Sequence, residues 1–325
     1  MSNSYIISID FGGTKILAAL LNSRGQILSR FKIATQPESS KLIVVKTLVK
    51  LIKDILAENE VTEESVRAIC MGIPGSVNPF TGIIGSAPNL KISNFDIRTA
   101  MEKYLSIPVL VENDVNLGAL GIQHFELKGK GRNFLVVFIG TGIGSALFFD
   151  GRLYRGSNYY AGEIGHIVIE PDGPLCGCGN YGCFEAVASR TAIAREIKKD
   201  LKKKKKGPLK QFASSNKQIK SKALAQAVKK QDPIALKHIE YACDEIGRTL
   251  ANITNLLNLD LIVLGGGVIE AIGKFMLPKI KASFKENVLK DLGKGIRIIN
   301  TQLGDDAALY GGIVLADDME NLLNK

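Results

Sequence analysis

Twice in this chain an apolar strand runs into a glycine turn and leaves it as a second apolar strand, with no helix between. The first instance is Tyr5-Ile-Ile-Ser-Ile-Asp10, then Phe11-Gly12-Gly13-Thr14-Lys15, then the apolar run Ile16 to Leu21. The second is Asn133 to Ile139, then Gly140-Thr141-Gly142-Ile143-Gly144, then a strand near 145–150. A turn of this kind lets backbone N–H groups approach a phosphate, and Asp10 at its strand end can hold Mg2+ through water. Taken alone, the first turn reads equally well as an ordinary hairpin. A P-loop is excluded, because it needs G-x4-G-K-[ST] followed by a helix. A dinucleotide fold is excluded because G-x-G-x-x-G is absent and no helix follows the second turn.

A second feature is concentrated between Ala161 and Glu185. Three of the five cysteines, Cys176, Cys178 and Cys183, fall within eight residues. With His166, at the head of an expected strand over 166–170, they supply the three thiolates and one imidazole that zinc takes in tetrahedral structural sites. Gly177, Gly179 and Gly182 are expected to let the backbone fold tightly around the ion. A reduced, glycine-rich turn with incidental thiols is the alternative.

The order Gly162-Glu163-x-Gly165-His166, nine residues, then Cys176-Gly177-Cys178-Gly179-x-x-Gly182-Cys183-x-Glu185 resembles the signature of the ROK family of sugar kinases, repressors and uncharacterised reading frames. The likeness extends over nearly the whole chain. It implies a structural zinc, with Glu163, His166 and Glu185 contacting sugar hydroxyls. The Phe11–Lys15 turn likewise resembles the first phosphate motif of the actin and hexokinase ATPase fold. The resemblance therefore implies an α/β, two-lobed fold of that kind, a duplicated ribonuclease-H-like core carrying a zinc site.

Between these landmarks the chain alternates regularly. A strand near 26–34 precedes a helical pattern from Leu42 to Leu56, and the buried strand Ala68 to Ile73 runs into Pro74-Gly75-Ser76 and Ala87-Pro88-Asn89-Leu90. The resemblance makes Gly75 and Asn89 sugar-side loop residues. Ile107 to Glu112 is a strand that delivers Asn113-Asp114 at its end. Asp114 there suits abstraction of a proton from an attacking hydroxyl, but it equally suits the N-cap of a helix over 115–126. The ROK resemblance of Glu112-Asn113-Asp114-x-Asn116 implies that Asp114 is the base and Asn113 a sugar contact. Later come a helix from Ser189 to Leu201, a surface loop over 202–219, a long helix from Asp232-Pro233 to about Leu257 and a strand Leu259 to Leu264. That strand ends in Gly265-Gly266-Gly267, which either accepts a flat ligand or is a plain strand-to-helix turn; in the ATPase fold it corresponds to the adenosine motif. A terminal helix opens at Asp306 and is expected to return to the N-terminal lobe. Cys243, His124 and His238 read as packing or incidental residues.

Size asks for two lobes, since 325 residues exceed the ~250–300 at which single cores stop growing. The expected division is 1–117 with about 305–325 against 118–304. No apolar run reaches the ~18 residues of a membrane span, and the chain enters a strand at once, so a cytoplasmic protein is expected. The net charge of +10 does not imply nucleic acid, because Lys198 to Lys210 alone contributes +7. Ahead of Tyr5 there is no room for a helix-turn-helix, so a repressor is not expected.

The expected activity is ATP-dependent phosphorylation of the glucose 6-hydroxyl, with N-acetylmannosamine or N-acetylglucosamine as the alternative sugar and a non-catalytic sugar-sensing regulator more remote. ATP, Mg2+ and structural Zn2+ are the expected cofactors. Nucleotide contacts would come from Asp10, Gly12, Gly13, Thr14, Lys15, Gly140, Thr141, Gly142, Gly144, Gly265, Gly266 and Gly267. Sugar contacts would come from Gly75, Asn89, Asn113, Asp114, Glu163, His166 and Glu185, and metal ligands from His166, Cys176, Cys178 and Cys183. The partners would be a hexose and ATP, in a homodimer or homotetramer.

Overall fold

The computed structural model describes residues 5–36, 40–202, 209–212, 218–319 and 323. They divide into two compact units, one of residues 1–130, 155–161 and 305–325, the other of 131–154 and 162–304.

In the first unit β1 (Tyr5–Phe11), β2 (Lys15–Asn22) and β3 (Ile27–Ala34) form an antiparallel meander. The helix α1 (Lys41–Glu58) then leads to β4 (Val66–Ile73), parallel to β1. A small three-stranded sheet follows, β5 (Ser76–Asn78), β6 (Ile83–Ala87) and β7 (Ile92–Asp96), and then the short α2 (Ile97–Glu102). Next comes β8 (Val109–Asn113), parallel to β4, and α3 (Asp114–Gly121), continued by one π-helical turn through Glu126. The order of the main sheet is β3-β2-β1-β4-β8.

The second unit repeats the scheme. β9 (Phe134–Ile139), β10 (Ile143–Phe149) and β11 (Arg152–Tyr154) are antiparallel, while β12 (Leu261–Gly265) and β13 (Arg297–Asn300) add in parallel, giving β11-β10-β9-β12-β13. Strand ranks and directions match those of the first unit one for one. The helices α4 (Phe184–Ala188), α5 (Arg190–Leu201), α6 (Ser221–Lys229), α7 (Pro233–Leu257), α8 (Gly267–Asn287) and α9 (Lys290–Gly293) lie between β11 and β13 in the chain. The last helix, α10 (Asp306–Asp317), belongs to the first unit.

Strand alternation fixes what each face of the first sheet meets. Ile7, Ile9 and Phe11 of β1 point into the core that α1 completes with Leu48, Ile52 and Ile55. Ile6 points the other way, into the cluster holding Leu117 of α3 and Leu309 and Ile313 of α10. Ser8 is on that second face and donates to the Ala308 carbonyl at 3.2 Å. Asp10, two residues further, is therefore turned toward the side where α3 begins. A Cβ on Gly311 would come within 1.8 Å of the Leu117 carbonyl oxygen, so α3 and α10 touch backbone to backbone.

Several expectations are corrected. The boundary falls after Lys130 rather than 117, because α3 packs on α10 and the first sheet and cannot leave with the second unit. Residues 155–161 also belong to the first unit, and nothing local in the sequence marks them. Residues 164–166 form a 3-10 turn, not the head of a strand. The backbone after it bonds to the cysteine loop instead, Ile169 N to Gly182 O at 2.9 Å and Phe184 N to Ile167 O at 2.8 Å, leaving only an isolated bridge between Val168 and Cys183. Of the expected surface loop, 203–208 and 213–217 lie outside the described residues, but Leu209 and Ile219 are buried in the second core. Among the described residues no helix is long and apolar enough to cross a membrane.

Candidate active site and metal centre

At the end of β8 the chain divides two tasks between adjacent residues. Asn113 is the N-cap of α3, its Oδ1 accepting from the Val115 and Asn116 amides at 2.9 and 3.1 Å, and its Nδ2 donates to the Gly75 carbonyl at 2.9 Å. Asp114 is the first residue of the helix, with Oδ1 accepting from the Val115 amide at 2.9 Å. The alternative role for Asp114, capping, is thus taken by its neighbour. Behind them Glu112 is 1% exposed, with its carboxylate bonded by Arg155 Nε at 2.7 Å, the Asn113 amide at 2.9 Å and Asn116 Nδ2 at 3.1 Å. Sequence reasoning missed Arg155, which lies 43 residues from its partner.

Asp10 sits close to Asp114. Burial, then the Asp114 charge, push its carboxyl up to about 7, with Lys15 pulling down and Asp305 pushing up. Lys15 itself is paired with Asp305. The turn between β1 and β2 is strapped by the end of β3, since Thr35 donates through Oγ1 to the Gly12 carbonyl at 2.6 Å and through N to the Thr14 carbonyl at 3.2 Å. A Cβ on Gly13 would lie 3.1 Å from the Asn89 Cβ, so the exposed Asn89 stands beside this turn. Gly75 has φ +93° and packs on Ser86, which accounts for its residue type without a ligand.

The turn after β9 has a partner of its own. Glu185 of α4 accepts from the Ile143 amide at 2.8 Å, and a Cβ on Gly142 would fall 2.0 Å from its Oε2. The start of α5 binds the other side: Arg190 N donates to the Gly140 carbonyl at 3.0 Å, Arg190 Nη2 to Thr141 Oγ1 at 2.6 Å, and Thr191 Oγ1 to the Thr141 carbonyl at 2.7 Å. By contrast, a Cβ on Gly140 would meet nothing within 4 Å, which leaves that backbone open to close approach. Gly144 lies in β10 opposite Phe138. Gly265 and Gly266 are required by packing, as Cβ atoms there would crowd Phe138 and the Ile139 backbone; Gly267 begins α8.

His166, Cys176, Cys178 and Cys183 bring their ligand atoms within 4.8 Å of one another. His166 Nδ1 is 3.6 Å from Cys176 Sγ, and Cys178 Sγ is 3.6 Å from Cys183 Sγ. These separations fit the edges of about 3.5–3.8 Å that Zn–S and Zn–N bonds make in a tetrahedron. Burial pushes the Cys183 thiol up to about 12 and raises Cys176, whereas the Asn180 backbone lowers Cys178. Gly182 takes φ +68° and packs on the Glu170 carbonyl; Gly177 has open space around it, so tight folding does not explain that glycine. The other ring nitrogen of His166 faces Glu163, Nε2 to Oε2 at 3.9 Å. Burial raises the Glu163 pKa, His166 lowers it and Glu185 raises it, which gathers Glu163, His166 and Glu185 at one place on the second unit.

Two sheets of one strand order, each with a glycine turn after its first strand, are the duplicated ribonuclease-H-like core of the actin and hexokinase ATPase fold. The chain belongs to the ROK family, whose sequence profile matches residues 6–319. It is 32% identical to a glucokinase of Halalkalibacterium halodurans over 327 aligned positions, covering 100% of this chain and 98% of that one. A ROK family glucokinase from Streptomyces griseus, solved with glucose and AMPPNP, is 30% identical with TM-score 0.80, covering 97% of this chain and 99% of its own. A ROK family transcriptional regulator, homologous to the Escherichia coli MLC protein, is 26% identical with TM-score 0.87, covering 99% of this chain and 80% of its own. Kinases and regulators share the fold, so activity has to be argued from the site.

Proposed function

We propose that this protein is an ATP-dependent hexose kinase that phosphorylates the 6-hydroxyl of glucose, with Asp114 as general base. The observation that carries the reading is the division of labour at the end of β8: Asn113 supplies the N-cap of α3, and Asp114 follows it as the first helical residue, close to Asp10. Asp114 takes the proton of the attacking hydroxyl as its oxygen bonds to the γ-phosphorus and the bond to the ADP oxygen breaks. Asp10 would hold Mg2+ through water, and the ion would offset charge on the phosphates. The elevated pKa of Asp10 marks a buried carboxyl beside a second carboxylate, an environment that a divalent cation relieves.

The turns at 11–15 and 140–144 offer backbone amides to the phosphates, and 265–267 lies on the nucleoside side. On the second unit Glu163, His166 and Glu185 hold sugar hydroxyls; on the first, Asn113 joins Asp114, with Gly75 and Asn89 nearby. Three thiols and one imidazole at these separations suit zinc. His166 would bind it through Nδ1, which fixes the ring and directs Nε2 toward Glu163 and the sugar. When bound, the ion supplies rigidity rather than chemistry.

The test is a coupled assay of ADP release with MgATP and six sugars: glucose, mannose, N-acetylmannosamine, N-acetylglucosamine, fructose and allose. Glucose as the preferred acceptor supports the reading. Preference for an N-acetylhexosamine keeps the kinase and changes its sugar, and transfer to none of the six points to the regulators that share the fold.

A further inference from the structure

One of the two residues that tie α5 to the second glycine turn is a cation, and the reading above does not use it. Arg190 is locked at both ends, its backbone N–H on the Gly140 carbonyl at 3.0 Å and its Nη2 on Thr141 Oγ1 at 2.6 Å. Among the described residues Thr141 is its one side-chain partner. A guanidinium carries five N–H donors and accepts nothing. It therefore occupies a lone pair of the Thr141 hydroxyl and leaves that O–H available as a donor, while four N–H groups of its own remain.

A cavity of about 260 Å³ opens beside Arg190 and Thr191, with Ala194, Arg195, Lys198, Gln218 and Ile219 also in its lining; its surface is mainly apolar, and no carboxylate lines it. Arg195 is held in place by Glu196 and the Ala186 carbonyl. The Gly140 backbone is open to close approach. Arginine is suited to an anion, because its planar fork stays charged and meets two phosphate oxygens at once.

We propose that Arg190 contacts the terminal phosphates of the nucleotide directly and orients the Thr141 hydroxyl toward the same oxygens. This rests on the kinase reading above and adds to it a cationic phosphate contact on the second unit. A strap that merely holds the turn would act through Thr141 alone. A phosphate contact keeps its effect when that hydroxyl is gone.

The experiment measures MgATP, MgADP and AMP binding by calorimetry, and glucose-dependent turnover, on the full chain and on Arg190→Ala, Arg190→Lys, Thr141→Val and the Arg190→Ala/Thr141→Val pair. Arg190→Ala is expected to weaken MgATP binding and kcat/KM by roughly 10–100-fold, the worth of a hydrogen bond between charged groups, with AMP and glucose affinity within about twofold. Arg190→Lys recovers part of the loss, and the double variant falls below Thr141→Val by about tenfold. The proposal is overturned if Arg190→Ala adds nothing on the Thr141→Val background, or if AMP binding falls as far as MgATP. Wild-type protein that binds no MgATP overturns the kinase reading with it; wild-type binding unchanged in Arg190→Ala overturns the Arg190 assignment alone.

Discussion

His166 Nδ1 lies 3.6 Å from Cys176 Sγ, so the imidazole that faces Glu163 through its other nitrogen is also part of the cysteine cluster. On the function proposed above, a ring shared in this way would couple metal content to sugar affinity. Cys178→Ser is expected to lower zinc from about one ion per chain to a small fraction, lower the thermal midpoint and weaken glucose binding by about 10–100-fold. Elemental analysis and calorimetry on the same preparation read both. Wild-type protein free of zinc, or a metal-free variant with normal glucose affinity, would break the coupling.

Asp114→Asn keeps size and shape at the start of α3, and Asn113 continues to cap it. It is expected to retain glucose and MgATP affinity while kcat falls by roughly 10²–10⁴-fold, the range for loss of a general base. Turnover near that of the wild type would remove Asp114 from the role.

The Asp10 carboxyl, raised from 3.8 to about 7, makes the protein without nucleotide sensitive to pH. Because the folded state holds this proton more tightly than the unfolded chain, folding loses stability as pH rises from about 4 to about 7, and the full penalty stands above that. At one pKa unit per 1.36 kcal/mol, the penalty at pH 8 is at most about 4 kcal/mol. Asp10→Asn should therefore stabilise the protein at pH 8 by a few kcal/mol and by much less at pH 5, while losing activity. Denaturant titrations at the two pH values check this; equal stabilisation at both would contradict it.

Glu112 is buried with Arg155 as its cationic partner. Arg155→Met removes that charge but leaves the bonds from the Asn113 amide and Asn116. The expected cost is roughly 3–5 kcal/mol in the first unit, since a buried charge is stranded. Glu112→Gln combined with Arg155→Met should recover part of it. Urea unfolding of the single and double variants decides, and a cost additive across the pair would show that the two are not coupled.

Much of this was legible because it is local. Strand, glycine turn and strand are contiguous, as are the thiols of Cys176 to Cys183, and Asp232-Pro233 announces the start of α7, where Asp232 Oδ1 accepts from the Ile234 and Ala235 amides. The segment after His166 misled because an apolar run spells strand only when a neighbouring strand is present, and there the backbone bonds to the cysteine loop.

The sequence by itself determined the two strand–glycine turn–strand units, the longest helices and the spacing of the His166, Cys176, Cys178 and Cys183 donors, each specified by periodicity or spacing along the chain. Only the tertiary structure decided that Asn113 and not Asp114 caps α3, that Arg155 neutralises Glu112 and that Arg190 fastens the turn at Thr141. The cap is local, but the two arginine pairings join positions 43 and 49 residues apart. What selects them is the need to satisfy buried charges and donors once the sheets have formed, and no local pattern records that requirement.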